Sequence, residues 1–232
     1  MGSMKITEAK LQSAARSKPE RVILSGKHVR LEPLLIAHAE GLFWAAAASR
    51  ATYVLCGSPT QPVPTTRAEM RTFIETAHAE EERGQSLPFT VFDAAGDVVG
   101  TTRYMTMEWW HWSGPPPEPV PTGPDVLEIG WTWYAERVQR TAINTESKLL
   151  LCTHAFEALR VRRVSWKTDA RNERSRAAIL RLGARFDGIL RAHRVAADGA
   201  VRDTAYYSML AAEWPEAKRG LEAKLARRTA SP

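Results

Sequence analysis

The sequence predicts one α/β or α+β domain, in which helices separate the strands of a mixed sheet. The length of 232 residues favours one domain with tails, and 44% hydrophobic with 25% charged residues is globular. Apolar segments of strand length alternate with segments of helical periodicity, and turn residues separate them. The longest apolar run, 42–48, is far shorter than the roughly 18 residues of a membrane span. We therefore expect a domain that does not cross a bilayer.

The predicted elements follow from local patterns. A polar leader over 1–20 begins with Met1-Gly2-Ser3, typical of a vector-derived extension, and a Pro-rich stretch over 108–124 predicts a long loop. Thr66 and Glu69 form a capping-box pattern at one helix start. The predicted strands cover 22–35 with one return, 88–92, 98–105, 126–134, 161–168, 186–194 and 201–210. The predicted helices cover 37–48, 67–82, 145–159, 172–182 and 214–228.

Cysteine content and charge exclude some classes of protein and favour others. Cys56 and Cys152 are the only cysteines, too few for a disulfide framework or a Cys-rich zinc site, and no His pair has metal-ligand spacing. We expect no metal and a reduced, cytoplasmic setting. The formal charge of +6 is concentrated in 160–194, where eleven basic residues face three acidic ones. Such a segment would suit a phosphate-bearing ligand or a nucleic acid, or it is a set of solvated helix faces.

Three polar features stand out, each with an ordinary structural explanation as well. The loop 139–144 leads into the helix predicted from 145, and a helix start offers free N–H groups to a phosphate. Asn172 occupies a predicted N-cap, and Ser175, three residues later, lies near the same helix face. Glu128 is an acid in an otherwise apolar strand, where a solvent-facing position is the common explanation.

Together these features resemble a known family. The stretches LEIGWTWYAERVQRTAINTESKLLLCTHAFEAL, VSWKTDARNERSRAAILRLGARFDGILR and DGAVRDTAYYSML are similar to the GCN5-related N-acetyltransferases (GNAT), in the branch of the ribosomal-protein N-terminal acetyltransferases. The resemblance covers about 21–214, is most specific over 128–210, and leaves 215–232 as a basic C-terminal helix or tail. It implies a fold in which two central parallel strands splay apart and acetyl-CoA wedges between them.

The resemblance also assigns acetyl-CoA contacts. It implies that the loop and the first helical turn hold the pyrophosphate, that strand 126–134 offers main-chain groups to the pantetheine, and that Asn172 hydrogen-bonds the pantetheine. The residues so assigned are Trp131, Thr132, Gln139, Arg140, Thr141, Ala142, Ile143, Asn144, Thr145, Asn172 and Ser175. The loop departs from the family pattern Gln/Arg-x-x-Gly-x-Gly/Ala, because Ala142 and Asn144 stand at the glycine positions. A Cβ narrows the approach to a phosphate, whereas Asn tolerates the left-handed conformations that Gly would supply.

The mechanism so implied is direct attack of an amine on the thioester in a ternary complex. No covalent acyl-enzyme is expected, because neither cysteine has a convincing base partner. Glu128 is the candidate general base, with a pKa expected to be raised by its apolar strand. Ser175 is expected near the sulfur of the cofactor and is the candidate proton donor to the departing thiolate, with Tyr134 as the reserve donor.

The acceptor is the least defined part. Trp109, Trp110 and Trp112 precede the Pro-rich loop, where they would contact the acceptor or anchor the loop. A protein N-terminal α-amine or a small amine is favoured, and ribosome association would accompany the former. The alternatives are acetylation of an antibiotic or polyamine, a non-catalytic acyl-CoA-binding module, and a nucleic-acid-binding protein. Either a monomer or a homodimer is compatible with the sequence.

Overall fold

The computed structural model describes residues 17–47, 55–56 and 62–229. Its strands form one mixed sheet in the order β1-β2-β3-β4-β5-β6-β8-β7. The strands are β1 Leu24–Ser25, β2 Val29–Pro33, β3 Ser86–Asp93, β4 Val98–Glu108, β5 Val126–Tyr134, β6 Arg163–Asp169, β7 Arg185–Val195 and β8 Val201–Leu210. The helices are α1 Ala39–Ala47, α2 Arg67–Glu82, α3 Ile143–Thr153, α4 Glu173–Arg181 and α5 Trp214–Thr229. The predicted mixed α/β class is confirmed.

The centre of the sheet is interrupted. β5 and β6 run parallel, while the other neighbouring strands are antiparallel. The parallel pairing joins 126–128 to 163–165 and goes no further, although both strands are described along their whole length. Beyond that point the two strands diverge. The predicted splay of the central parallel strands is therefore present.

Helices cover the two faces of the sheet. Successive residues of a strand point to opposite faces. On β4, Arg103 contacts Glu80 of α2, whereas the hydroxyl of Tyr104 donates a hydrogen bond to the carbonyl of Leu151 in α3. Helices α2 and α3 therefore lie on opposite sides of the sheet. None of the helices within the described ranges combines the length and the apolar character that a bilayer span requires.

Helix α5 packs against the end of α3. A π-helical turn over His154–Ala158 follows α3, and its Phe156 ring stacks on Trp214 with the ring centroids 5.5 Å apart. Leu221, two turns into α5, is also buried. Helix α5 is thus part of the packed structure at least as far as Leu221.

Several predicted boundaries are wrong in detail. The helix expected over 145–159 starts at Ile143, because Ala142 already has helical dihedral angles and accepts the first helical hydrogen bond from Glu146. After Thr153 it continues as the π-helical turn to Ala158, close to the predicted end. The strand expected from 161 starts at Arg163, and β4 continues to Glu108 instead of ending at 105. The predicted end of the first helix at 48 and most of the leader lie outside the described residues.

Candidate active site

A bulge in β5 opens the cleft between β5 and β6. Thr101 pairs with Trp133 and Arg103 with Gly130, so Trp131 and Thr132 together oppose one residue of β4. Trp131 has a φ of 48°, a left-handed conformation that is uncommon for a bulky residue and usually marks a constrained site. The bulge bends β5 just beyond its last pairing with β6.

Side chains on one face of the sheet hold the bulge in place. The Trp131 ring lies 6.2 Å from the Phe73 ring of α2, and the Arg103 guanidinium lies 5.2 Å from the Trp131 ring centroid. Arg103 is fully buried and forms an ion pair with Glu80 at 2.6 Å. Among the described residues, its Nε and Nη2 have no hydrogen-bond partner. Burial lowers the pKa of this guanidinium.

The loop after β5 delivers the chain to the positive end of α3. The left-handed residue of this loop is Arg140, with a φ of 63°, whereas Ala142 has a φ of −69°. Asn144 lies inside the first helical turn. The expectation that Asn144 would supply a left-handed conformation in place of Gly is therefore wrong, because neither of the two departures from the family pattern stands where such a conformation is needed.

Local hydrogen bonds shape the same loop. The hydroxyl of Thr141 donates to the carbonyl of Val138 at 2.6 Å and accepts from the N–H of Ile143 at 3.3 Å. The N–H groups of Asn144 and Thr145 lie in the first turn of α3. N–H groups in the first turn of a helix have no carbonyl acceptor within the helix. Free N–H groups and the helix dipole are typical of anion-binding helix starts, so the start of α3 is a candidate phosphate site.

Gln139 connects the two walls of the cleft. Its side-chain amide donates to the carbonyl of Tyr134, at the end of β5, at 3.0 Å. Its side-chain carbonyl accepts a hydrogen bond from Arg174 of α4 at 3.1 Å. A polar bridge thus spans from the β5 side to the β6–α4 side, at the end where the strands are furthest from their pairing.

The start of α4 forms the other wall. Asn172 is the N-cap, and its Oδ1 accepts from the N–H of Ser175 at 3.0 Å. The predicted cap at Asn172 is observed, whereas the proximity of the Asn172 and Ser175 side chains stays a prediction. Ser175 is half-buried.

Glu128 lies at the point where the parallel pairing ends, and its side chain is buried rather than solvent-facing. One carboxylate oxygen is 2.7 Å from the Lys167 ammonium of β6 and accepts a hydrogen bond from Thr106 at 3.1 Å. The expected lone carboxylate in an apolar strand is therefore an ion-paired one. The sequence pattern missed this because the partner comes from a different strand.

A cavity of about 450 Å³ lies beside this ion pair on the uncovered part of the sheet. Thr106, Lys167 and Tyr206 line it together with residues of β7. The Tyr206 hydroxyl lies 3.3 Å from Nε2 of His193. Burial and the nearby cations Arg194, Lys167 and Arg202 lower the pKa of His193. The carboxylate thus stands beside a cavity large enough for an amine-bearing group.

Tyr134 and Cys152 lie away from this cavity, in the packed interior. Burial raises the pKa of the Tyr134 phenol, whose side chain lies against Ser147. Burial also raises the pKa of the Cys152 thiol, to about 12. The thiol therefore stays protonated and unreactive at neutral pH.

The Trp-rich segment is attached to the start of β5. The backbone N–H of Trp110 donates to Asp125 at 2.8 Å, and its indole N–H donates to Glu108 at 3.3 Å. The Arg162 guanidinium lies 4.9 Å from the Trp112 ring centroid. These contacts anchor the loop, while Glu108 itself lines the cavity. A role of Trp109, Trp110 and Trp112 in acceptor binding remains a prediction.

The basic segment 160–194 makes extensive contacts within the fold. At least seven of its eleven basic side chains bind acidic or polar groups of the protein: Arg162, Arg163, Lys167, Arg171, Arg174, Arg176 and Arg185. Arg171 alone bridges Asp169 and Asp198. Much of the charge counted from the sequence is thus used to join strands and helices.

The sequence reasoning missed three charged residues of this region: Arg103, Lys167 and Lys148 of α3, whose Nζ lies 2.7 Å from the hydroxyl oxygen of Thr132. Lys148 had a usable signal, since it precedes Cys152 by four residues and therefore shares the helix face assigned to the core. Arg103 was a lone charge in an apolar strand. Lys167 gave no signal, because its partner depends on the pairing of β5 with β6.

Comparison with known proteins agrees with this geometry. Residues 28–185 match the family model described as the acetyltransferase (GNAT) domain. This chain belongs to the GNAT family. A GCN5-related N-acetyltransferase from Brucella melitensis has the same fold, with a TM-score of 0.73, 34% identity, and coverage of 90% of this chain and 88% of that one. The predicted family is confirmed.

Two further known proteins are similar to this chain. YdaF of Bacillus subtilis, described as a candidate ribosomal N-acetyltransferase, is 37% identical over 87 residues, which is 38% of this chain and 46% of that protein. The matched stretch thus spans about half of that relative. The RimJ structure from Mycobacterium smegmatis, in complex with CoA-disulfide, has a TM-score of 0.71, 22% identity, and coverage of 88% of this chain and 93% of that one. It supports the fold alone.

Proposed function

We propose that this GNAT protein transfers an acetyl group from acetyl-CoA to a primary amine, by direct attack of the amine in a ternary complex. The observation that carries the proposal is the parting of β5 from β6 directly beyond Glu128. The cleft so formed has an anion seat at the start of α3 and a buried carboxylate beside a cavity at its other end. A cofactor with a pyrophosphate at one end and a reactive thioester at the other fits this arrangement.

The cofactor would lie along the cleft with its pyrophosphate at 139–145. The main chain of β5 beyond Glu128 faces the cleft without strand partners there, so it can pair with the amides of the pantetheine arm. Asn172 and Ser175 would contact the arm from the α4 side. The cofactor supplies the activated acetyl group, and the protein contributes position, polarity and a base.

Glu128 is our candidate general base. Thr106 and Lys167 line the cavity, and both contact the Glu128 carboxylate. An amine that enters the cavity can therefore take the place of the Lys167 ammonium beside this carboxylate. The carboxylate would accept the proton that the amine loses, directly or through a water molecule. Ser175 is our candidate donor to the departing thiolate, and Tyr134 is the reserve, a phenol that burial keeps protonated.

Direct attack is favoured over an acyl-enzyme. Burial raises the pKa of Cys152 to about 12, and burial also raises the pKa of Cys56, so neither thiol is an activated nucleophile. An α-amine has a reference pKa of about 7.7–8.0 and is partly neutral at pH 7, whereas a lysine at about 10.4 is almost wholly charged. A protein N-terminus therefore needs less help from a base, and the description of YdaF points to ribosomal proteins as a source of such amines.

The first test is ligand binding. Thermal shifts with acetyl-CoA and CoA, each at about 100 times its dissociation constant, should add roughly 2.7 kcal/mol and raise the melting temperature by several degrees. ATP, which has phosphates but no pantetheine, is the control and should give a smaller shift. No shift with either CoA species would overturn the proposal.

The second test is catalysis. Release of CoA with a panel of N-terminal peptides, compared with a polyamine and an aminoglycoside, identifies the acceptor class. Glu128→Gln should lower turnover by about 10²–10⁴-fold and leave acetyl-CoA affinity unchanged. Unchanged turnover in this variant would remove Glu128 from the mechanism, and saturable acetyl-CoA binding without transfer to any amine would indicate a non-catalytic acyl-CoA-binding module.

A further inference from the structure

A lysine is buried behind the bulge of β5. Lys148, in the second turn of α3, is 4% exposed. Its Nζ lies 2.7 Å from the hydroxyl oxygen of Thr132 and 3.1 Å from that of Thr102. The two threonine hydroxyls are 2.8 Å apart. One amine and two hydroxyls thus form a closed triangle that joins α3, β4 and β5.

Stability alone does not account for this lysine. Burying an amine away from water is costly, and here burial lowers the pKa of Lys148 to about 7. A methionine has nearly the same length and would fill the space without a polar group to satisfy. Cys152 lies one helical turn further along the same face, and burial raises the pKa of its thiol, so it stays neutral and offers no compensating charge.

The hydrogen-bonded triangle of Lys148, Thr102 and Thr132 holds the bulge of β5 in place. Thr132 is the second bulged residue, directly after Trp131 with its left-handed φ of 48°. Phe73 and Arg103 pack on Trp131 from the α2 side of the sheet, while Lys148 binds Thr132 from the α3 side. A strained backbone persists only where its surroundings fix it from several directions. The polar triangle is the restraint on the α3 side.

We propose that Lys148 is a positioning residue for acetyl transfer, which holds the bulged main chain of 130–132 in the conformation that receives the thioester. The inference rests on the proposed function, because that function places the thioester at this part of β5. Lys148 also lies one turn beyond the first residues of α3, so one helix would carry both the pyrophosphate seat and the restraint on the bulge. The two ends of the cofactor site would then be fixed relative to each other.

Two substitutions separate positioning from packing. Lys148→Met keeps the volume and removes the hydrogen bonds, whereas Lys148→Gln keeps an NH₂ group that can donate to both threonines. Lys27→Met, at an exposed lysine, is the matched control. Hydrogen exchange of the segment 126–134 is measured by mass spectrometry on the free protein, with β3 as the internal reference.

The expected result is local. In Lys148→Met the backbone amides of 126–134 should exchange hydrogen at least about tenfold faster than in the wild type, and those of β3 should exchange at the same rate. A tenfold change in rate is about the effect expected for the loss of one buried hydrogen bond. With acetyl-CoA and an accepted peptide, kcat should fall by about tenfold or more while KM for acetyl-CoA stays within about threefold. Lys148→Gln should restore the protection and most of kcat.

Unchanged exchange of 126–134 in Lys148→Met would overturn the proposal, and so would an unchanged kcat. If Lys148→Met does not fold, Thr132→Val breaks the same contact from the strand side and must show the same local exchange. Absence of transfer by the wild-type protein would count against the proposed function. The exchange measurement would still decide whether Lys148 holds the bulge.

Discussion

The buried amine of Lys148 should leave a measurable pH dependence in the stability of the protein. Burial lowers its pKa to about 7 in the folded state, against the ordinary value of 10.5 for a lysine. Between these two values the unfolded chain binds more protons than the folded one, so this group makes the free energy of unfolding rise as the pH rises from about 7 to 10.5. At about 1.36 kcal/mol per pKa unit, the whole effect is on the order of 5 kcal/mol.

Lys148→Met removes this contribution. The variant should be more stable than the wild type at pH 6, where the wild-type ammonium is buried with its charge. The difference in free energy of unfolding between Lys148→Met and the wild type should shrink by about 3 kcal/mol between pH 6 and pH 9. Over this interval the Lys148 amine of the folded wild type loses its proton, which removes the cost of burying its charge. Urea unfolding of both proteins at four pH values measures the difference in their free energies of unfolding. The contributions of the other titrating groups are the same in both proteins and cancel in this difference.

Lys27→Met, at an exposed position, should track the wild type at every pH. A difference between Lys148→Met and wild type that stays constant from pH 6 to pH 9 would refute the reasoning. It would mean that the Lys148 amine keeps its proton in the folded protein over this whole range, as it does in the unfolded chain.

Three further predictions concern the stability of the fold. A Cβ on Gly26 would lie 2.5 Å from the carboxyl carbon of Glu146, whose carboxylate accepts hydrogen bonds from two backbone N–H groups of the β1–β2 turn. Gly26→Ala should therefore lower the free energy of unfolding in urea by about 1–3 kcal/mol, and an unaltered unfolding midpoint would contradict this. Thr66→Ala removes the cap of α2 and should cost about 1 kcal/mol, which Thr66→Ser should largely restore. Trp214→Ala removes the ring stacked on Phe156 and should cost about 3–5 kcal/mol by calorimetry; a loss below 1 kcal/mol would show that α5 contributes little to the core.

Features set by neighbouring residues were predictable from the sequence. The capping box of Thr66 and Glu69, the cap at Asn172 and the turn between β3 and β4 are all present, because each depends on contacts within a few residues. The strand and helix order was predictable for the same reason, and the family resemblance supplied the splay.

Features set by contacts between distant segments were not predictable. Lys167 pairs with Glu128 because β5 lies parallel to β6, a neighbour relation that no local pattern contains. The bulge carries no glycine at its left-handed residue, since Trp131 is fixed there by groups on α2 and β4. The start of α3 at Ile143 rather than at 145 is a local feature that the sequence reasoning missed, because the hydrogen bond of Thr141 to Val138 is not visible as a capping pattern.

The short pairing of β5 with β6 gives the sheet two edges inside the molecule. At each one, backbone N–H and C=O groups face the cleft without the neighbouring strand that would ordinarily satisfy them. An extended molecule with amide groups of its own can add there as a strand would, through backbone contacts. Recognition of this kind depends on the path of the chain more than on the identity of its side chains. A substitution far from the cleft that alters the path of β5 would therefore weaken such recognition without touching the bound molecule.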